Sequence, residues 1–143
     1  EDAALGADLA RAGGRAFAPD AVVLHRWIPA SYRDHLRGEW RVQGFPGLTH
    51  VSTEAADALW HGVFLHRRTA EVDVGLAGVA IALITGRHSA ALCAAPWIYR
   101  RAREVHRRGL QPAPTRTLQL LVADLVRTAA LVRGSVRARR VVL

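Results

Sequence analysis

The sequence predicts an α-rich α+β chain, in which one helix and two short strands precede a longer helical region. Apolar residues recur at intervals of three and four over much of the 143-residue chain, which is the spacing of amphipathic helices. Residues 15–18 and the apolar, β-branched run 21–25 favour two short strands, and Pro19-Asp20 between them favours a turn. Helical and extended patterns in one chain indicate the mixed fold class.

The first helix is predicted over residues 2–12. Leu5 and Leu9 are four residues apart, so they share one helical face. Gly13-Gly14 follows and supplies a C-terminal stop. The helix is therefore short and ends just before the first predicted strand.

A second helix is predicted after the strands, with a domain boundary behind it. Ser31 can cap a helix that runs toward Val42. The glycines and the proline between residues 44 and 47 predict a loop. The sequence pattern changes after this loop, near residue 50. The predicted units are residues 1–50 and residues 51–143.

The region after this boundary is predicted to be helical and associated with a membrane. Residues 52–68 have an apolar face at helical spacing, and Thr69 can cap the helix that follows. Residues 74–85 and 89–99 are two apolar runs, each shorter than the roughly 20 residues that cross a bilayer. We expect them to form a hairpin that enters the membrane or lies at its surface.

Small residues and arginines support this hairpin. Gly75, Gly78 and Ala82 have the spacing that lets helices approach closely. Five arginines lie between residues 100 and 108, where they would suit the cytoplasmic headgroup layer. A final helix over residues 117–136 has an apolar stripe flanked by arginines, which is typical of an interfacial helix and equally of a soluble bundle helix.

Composition narrows the class of partner. The formal net charge is +8, and every basic residue is arginine. This charge permits an anionic partner such as a phosphate, a nucleotide sugar or an acidic lipid headgroup. Aromatic residues make up only 6% of the chain and do not interleave with the arginines, so we expect no nucleic acid polymer as a partner. The chain contains no Met, and we expect it to be a processed product or, more simply, a fragment.

Residues 1–26, with the sequence EDAALGADLARAGGRAFAPDAVVLHR, resemble the acceptor-site segment of family 2 glycosyltransferases. The shared order is an acidic pair, an amphipathic helix, Ala-Gly-Gly, a short strand, Pro-Asp-Ala and a strand that ends in His. The resemblance implies that residues 1–50 are the end of an inverting GT-A α/β domain whose remainder lies upstream. It also implies an enzyme that transfers a sugar from a nucleotide-sugar donor to an acceptor hydroxyl.

The resemblance implies that Asp2 is the catalytic base. In the enzymes that the segment resembles, a carboxylate at the start of a helix deprotonates the acceptor. Asp2 stands at that position, and charge repulsion from Glu1 beside it would favour its protonation, so both residues are assigned to the catalytic pair. The alternative is a helix cap, which is the more common role of an acidic pair out of context.

The resemblance implies that His25 is a metal ligand. His25 follows Asp2 at the interval expected in the family, and the remaining ligands of the divalent ion, Mn²⁺ or Mg²⁺, would lie upstream. Imidazole suits manganese better than magnesium, which prefers oxygen ligands. Trp27 is the candidate substrate-binding residue, because it could face the sugar, although it could also simply pack. A lone histidine at a strand end is likewise often structural.

The region past residue 50 has a weaker resemblance to the same family. Residues 60–69, with the sequence WHGVFLHRRT, and the helices after them resemble the C-terminal extension of actinobacterial members. This implies attachment to the cytoplasmic face of the cell membrane, near a lipid-linked or glycan acceptor of the cell envelope. The Gln-x-x-Arg-Trp motif of processive synthases does not occur, so polymerisation is not expected. The alternative is a non-catalytic, basic helical module that binds a membrane surface or another protein.

Overall fold

The computed structural model describes residues 31–143 and a turn at Ala12-Gly13. Residues 31–143 form six α-helices, which we number in chain order. They are α1 Tyr32–Arg41, α2 Phe45–Val51, α3 Thr53–Asp57, α4 Arg67–Thr85, α5 Ala95–Arg107 and α6 Ala113–Ala138. Two 3₁₀ helices, Val42–Gly44 and His88–Ala94, join α1 to α2 and α4 to α5.

The predicted α+β class, with the end of a GT-A α/β domain in residues 1–50, is wrong. Residues 31–143 contain no strand and no sheet, and their extended pairing is confined to one isolated bridge between Trp60 and Phe64. Ala, Leu and Arg at helical spacing dominate these residues, so the backbone N–H and C=O groups pair within helices. The strands predicted at 15–18 and 21–25 lie outside the described residues, and residues 31–143 supply no sheet for them to join.

The longest helix, α6, is the element against which the others pack. It contacts α1, α2, α4 and α5, as well as the 3₁₀ helix Val42–Gly44. Residues on both sides of position 50 therefore pack on one helix, and the predicted domain boundary stays a prediction. The helix was expected over residues 117–136, and it is present within the longer span Ala113–Ala138.

Two small hydrophobic clusters hold these helices together. The buried members are Leu59, Leu131 and Val142 in one cluster and Val72, Ala94 and Trp97 in the other. Through Leu131 and the partly buried Leu121, α6 contributes to both clusters. Burial of each large apolar side chain contributes roughly 1.5–3 kcal/mol before the cost of ordering the chain.

The predicted start of α1 is confirmed, whereas the predicted loop at 44–47 is wrong. Ser31 caps α1 in a capping box, in which its hydroxyl accepts from Asp34 N and the Asp34 carboxylate accepts from Ser31 N. Pro46 stands in the first turn of α2, where a missing N–H costs no helical hydrogen bond. The proline was thus compatible with a helix start as well as with a loop.

The helix predicted over residues 52–68 is interrupted. Thr53–Asp57 is helical, turns follow as far as His66, and Arg67 already begins the next helix. His61 and Gly62 have positive φ values of 51° and 72°, which reverse the chain. The next helix is capped by His66 rather than by Thr69, which instead occupies the third helical position and accepts a hydrogen bond from His66 N.

The close approach predicted from small residues in α4 is confirmed. Gly75, Gly78 and Ala82 are buried, and a Cβ atom added to Gly78 would lie 2.6 Å from the Cβ of Cys93. The chain after the turn at Gly86 therefore runs back along α4 and forms a hairpin with it. Across residues 31–143, no helix has both the length and the apolar character needed to cross a membrane.

Gly134→Ala tests the tightest contact of α6. A Cβ atom at residue 134 would overlap the backbone carbonyl of Gln43, which cannot rotate away as a side chain could. We expect the free energy of unfolding to fall by about 1–3 kcal/mol in urea denaturation, as at other overpacked sites.

Gly38→Ala is the matched control for this substitution. Position 38 is also helical, but nothing lies within 4 Å of an added Cβ atom. There we expect a gain of up to about 1 kcal/mol from helix propensity alone. Equal losses in both variants would contradict a specific contact between α6 and Gln43.

Candidate functional site

The four residues predicted as a catalytic site, Glu1, Asp2, His25 and Trp27, lie outside the described residues. Their roles as base, metal ligand and substrate contact therefore stay predictions. Within residues 31–143, no three His, Cys, Asp or Glu side chains are grouped so that they could hold a metal ion. The candidate site in the described part is electrostatic and lies along α5.

An open groove of about 690 Å³ runs along the exposed face of α5, and we call it the arginine groove. Arg100, Arg103 and Arg107 recur at intervals of three and four, so they share one helical face, and Arg108 follows at the end of the helix. The opposite face carries Trp97, Arg101 and Val105, which are buried. The groove is lined by Pro96, Tyr99, Arg100, Arg103, Glu104, Arg107 and Arg108.

Two of these arginines are paired with carboxylates. Arg100 Nη2 donates to Glu71 Oε1 of α4 at 2.6 Å, and this contact ties the two arms of the hairpin together. Arg108 Nη2 lies 2.8 Å from Glu104 Oε1, one turn earlier on the same helix. Both arginines are exposed, so each pair contributes little to stability.

The other two arginines of the groove are free to bind an anion. Arg103 and Arg107 are exposed and form no ion pair with any residue of the described part. They are four residues apart on one helix, so their guanidinium groups project to the same side. A guanidinium group offers a planar fork of donors that matches a carboxylate or phosphate. The groove therefore has the chemistry of a site for phosphate-bearing molecules.

A buried carboxylate fixes the rotation of α5. Asp124 of α6 is 2% exposed, and its Oδ2 accepts from Trp97 Nε1 at 2.8 Å and from Arg101 Nε at 2.7 Å. Arg101 Nη2 donates to the other oxygen, Oδ1, and Arg101 Nη1 donates to Glu104 at 2.6 Å. Burial disfavours the Arg101 cation, but hydrogen bonds and charges from Asp124 and Glu104 outweigh it and raise the pKa of Arg101.

Arg68 brings a second guanidinium group to the same carboxylate. Its Nε lies 4.0 Å from Asp124 Oδ1 and is buried without a hydrogen-bond partner among the described residues. Burial lowers the pKa of Arg68, and the neighbouring cations Arg101 and Arg127 lower it further. Asp124 therefore has two guanidinium groups beside it, of which only Arg101 forms hydrogen bonds with it.

His66 connects this network to α1. As the N-cap of α4, it accepts a hydrogen bond from Thr69 N at its Nδ1 atom, at 3.2 Å. Its Nε2 atom lies 3.4 Å from Arg127, which donates to both carboxylate oxygens of Glu39 at 2.6 and 2.7 Å. Burial lowers the pKa of His66, and the charges of Arg68 and Arg127 act in the same direction.

The sequence predicted a basic cluster at residues 100–108, but neither the groove nor the network beneath it. Four of the five arginines in the predicted basic cluster line the groove, whereas Arg101 is buried. The signal that could have identified the network is Asp124, the one acidic residue within the 26-residue α6. A lone carboxylate among apolar residues indicates a buried partner, because an unpaired buried charge is too costly.

No family model matches this chain, and no curated protein or solved structure matches it. The resemblance to family 2 glycosyltransferases therefore rests on the sequence patterns within residues 1–26 and 60–69 alone.

Stability is expected to fall as the pH drops below about 6.5, because the folded state holds His66 neutral. The pKa of His66 is lower in the folded protein than its ordinary value of 6.5. The unfolded chain therefore takes up the proton first. This contribution to stability is complete above pH 6.5 and is lost as the pH falls from there toward the folded pKa. Urea denaturation at a series of pH values measures the slope.

His66→Asn tests the assignment of this slope to His66. Asparagine keeps an N-cap acceptor but does not titrate, so the free energy of unfolding should depend less on pH between about 5 and 7. His106→Asn, at an exposed histidine of α5, is the control and should retain the slope of the unmodified protein. An unchanged slope in His66→Asn would assign the pH dependence to another group.

Proposed function

We propose that this protein is a glycosyltransferase of the family 2 type that acts at the cytoplasmic face of the membrane, and that the described helices attach it there. The proposed attachment is based on the arginine groove, in which Arg103 and Arg107 have no acidic partner among the described residues. The headgroup layer of an anionic membrane supplies phosphate oxygens that such guanidinium groups bind.

The proposed chemistry rests on the sequence pattern of residues 1–27. Asp2 takes the proton from the acceptor hydroxyl, and charge repulsion from Glu1 favours this protonation. The acceptor oxygen then bonds to the anomeric carbon of the sugar. The bond from that carbon to the nucleoside diphosphate breaks, and its electron pair leaves with the diphosphate. Trp27 contacts the sugar. His25 would bind a divalent ion, Mn²⁺ or Mg²⁺, which neutralises a diphosphate.

The turn of the hairpin adds an apolar component to the proposed attachment. Leu83, Ile84 and Leu92 lie near this turn and are 81%, 83% and 71% exposed. Arg87 and His88 lie at the turn itself, and a charge at the centre of a bilayer costs about 2.5–3.5 kcal/mol. The hairpin is therefore proposed to lie within the headgroup layer, with its apolar side chains at the boundary of the acyl chains. The acceptor would be a lipid-linked or cell-envelope glycan.

A non-catalytic module is the second candidate function. It would be a basic, helical element that binds a membrane surface or another protein. The observation that favours it is that residues 31–50, predicted to finish a catalytic domain, pack with the later helices around a shared buried cluster. The two candidates differ in the role of Asp2, which is a base in the first and a helix cap in the second.

Asp2→Asn in the full-length protein is expected to lower sugar transfer by roughly 10²–10⁴-fold, because an amide cannot accept the proton. Donor binding should survive. Transfer of labelled sugar from UDP- and GDP-hexoses to bacterial membrane lipids measures activity, and calorimetry measures donor binding. Asp8→Asn, within the same predicted helix, is the control. Near-normal transfer by Asp2→Asn would exclude Asp2 as the base, whereas no transfer by the unmodified protein would favour the non-catalytic module.

Arg103→Gln with Arg107→Gln is expected to weaken binding to vesicles that contain phosphatidylglycerol. Each basic residue near an anionic surface contributes about 1 kcal/mol, so the double variant should bind roughly 30-fold more weakly in cosedimentation. Binding of the unmodified protein should also fall as salt is added.

The control for this experiment is Arg33→Gln with Arg137→Gln. It removes the same charge from exposed positions of α1 and α6, away from the groove. We expect it to change vesicle binding much less. Equal losses in the two double variants would mean that net charge alone drives binding, and would contradict attachment through the arginine groove.

A further inference from the structure

A second groove, of about 450 Å³, lies beside the arginine groove, and we call it the aromatic groove. Its lining includes the rings of Trp60 and Phe64 together with Val74, Cys93 and Pro96. Trp60 is 39% exposed and Val74 is 56% exposed, so apolar surface is open to solvent here. Both grooves have the volume of a small-molecule site.

The two aromatic rings are held in place by the backbone. Trp60 N donates to Phe64 O at 2.8 Å, and Phe64 N donates to Trp60 O at 3.1 Å. Residues paired in this way project to the same side, and the two ring centroids are 5.8 Å apart. The left-handed backbone of His61 and Gly62 closes the turn between them. The rings are therefore positioned before a ligand binds, which limits the entropy that binding costs.

The two grooves meet at the hairpin. Pro96 lines both of them. Glu71 of the aromatic groove and Arg100 of the arginine groove form the 2.6 Å ion pair that joins α4 to α5. Arg103 lies about 10 Å beyond Pro96 along α5, because an α-helix rises ~1.5 Å per residue. An apolar groove thus opens beside a strongly basic one, within the length of a short acyl chain and its headgroup.

We propose that the two grooves together bind one phosphorylated lipid. Its phosphate lies between Arg103 and Arg107, and its apolar chain lies against Trp60, Phe64 and Val74. Inorganic phosphate would leave the aromatic surface exposed, and a zwitterionic lipid would leave the excess positive charge of the arginines without a matching anion. A phosphate monoester on an apolar chain satisfies both grooves.

This inference rests on the proposed attachment in one respect, because both use Arg103 and Arg107 to bind a phosphate group. It goes further because the site takes a single lipid molecule, so that binding requires neither a bilayer nor sugar transfer. The probe is therefore dihexanoyl phosphatidic acid below its micelle concentration, titrated by calorimetry into the full-length protein. Inorganic phosphate and dihexanoyl phosphatidylcholine supply the phosphate alone and the same chains with a zwitterionic headgroup.

We expect dihexanoyl phosphatidic acid to bind at least tenfold more tightly than either comparison compound. Arg103→Gln with Arg107→Gln should weaken this binding at least tenfold, and so should Val74→Glu, which places a charge in the aromatic groove. Val74 is largely exposed, so its substitution should leave folding intact, as thermal melts would verify. Leu118→Glu introduces the same charge at an exposed position of α6 and should leave binding unchanged.

Equal affinity for inorganic phosphate or for the phosphatidylcholine analogue would overturn the proposal, and so would undiminished binding by Val74→Glu. Binding to anionic vesicles without binding of the monomeric lipid would also overturn the lipid site, while the proposed attachment would stand. Monomeric lipid binding in a protein without transferase activity would support the site and overturn the proposed enzyme, so the two failures are distinguishable.

Discussion

The carboxylate of Asp124 is the group on which the arrangement of α4, α5 and α6 depends. A buried charge is tolerated only where hydrogen bonds replace its water, and Trp97 and Arg101 supply them. Apolar contacts have little directional preference, so the small clusters alone would permit several rotations of α5. The hydrogen bonds to Asp124 permit only one rotation of α5. Loss of one partner from a buried pair typically costs about 3–5 kcal/mol, a large share of the stability of a small domain.

The rotation that Asp124 imposes decides which residues of α5 meet solvent. Because Trp97 and Arg101 face α6, the arginines at positions between them and beyond face outward and line the groove. The same network reaches α1, since Arg127 lies next to His66 and binds Glu39. A change in charge at His66 would therefore affect both the start of α4 and the Arg127–Glu39 ion pair that joins α6 to α1. The exposed groove and the buried network therefore depend on the same rotation of α5.

The helices could be predicted from the sequence because their signals are local, as in the capping box of Ser31 and the close packing of Gly78. The strands were predicted from short apolar and β-branched runs and a turn, yet a strand also needs a partner, which no local pattern shows. The basic cluster at residues 100–108 was predicted from the sequence, but neither the groove that it lines nor the burial of Arg101 was. Arg101 is an arginine like its exposed neighbours, and only its pairing with Asp124, which is distant in the sequence, distinguishes it from them. The predicted catalytic residues depend on a pattern that the described helices do not include.

The free positive charge of α5 follows from how the fold uses its carboxylates. The chain has 20 arginines and only 12 acidic residues. Several carboxylates join one helix to another, as Glu39, Glu71 and Asp124 do. Between residues 95 and 108, Glu104 is then the one acid among five arginines, and it already contacts Arg101 and Arg108. An anion from outside the described helices can therefore bind at the outer face of α5 without displacing a structural ion pair, which is the property that an attachment surface requires.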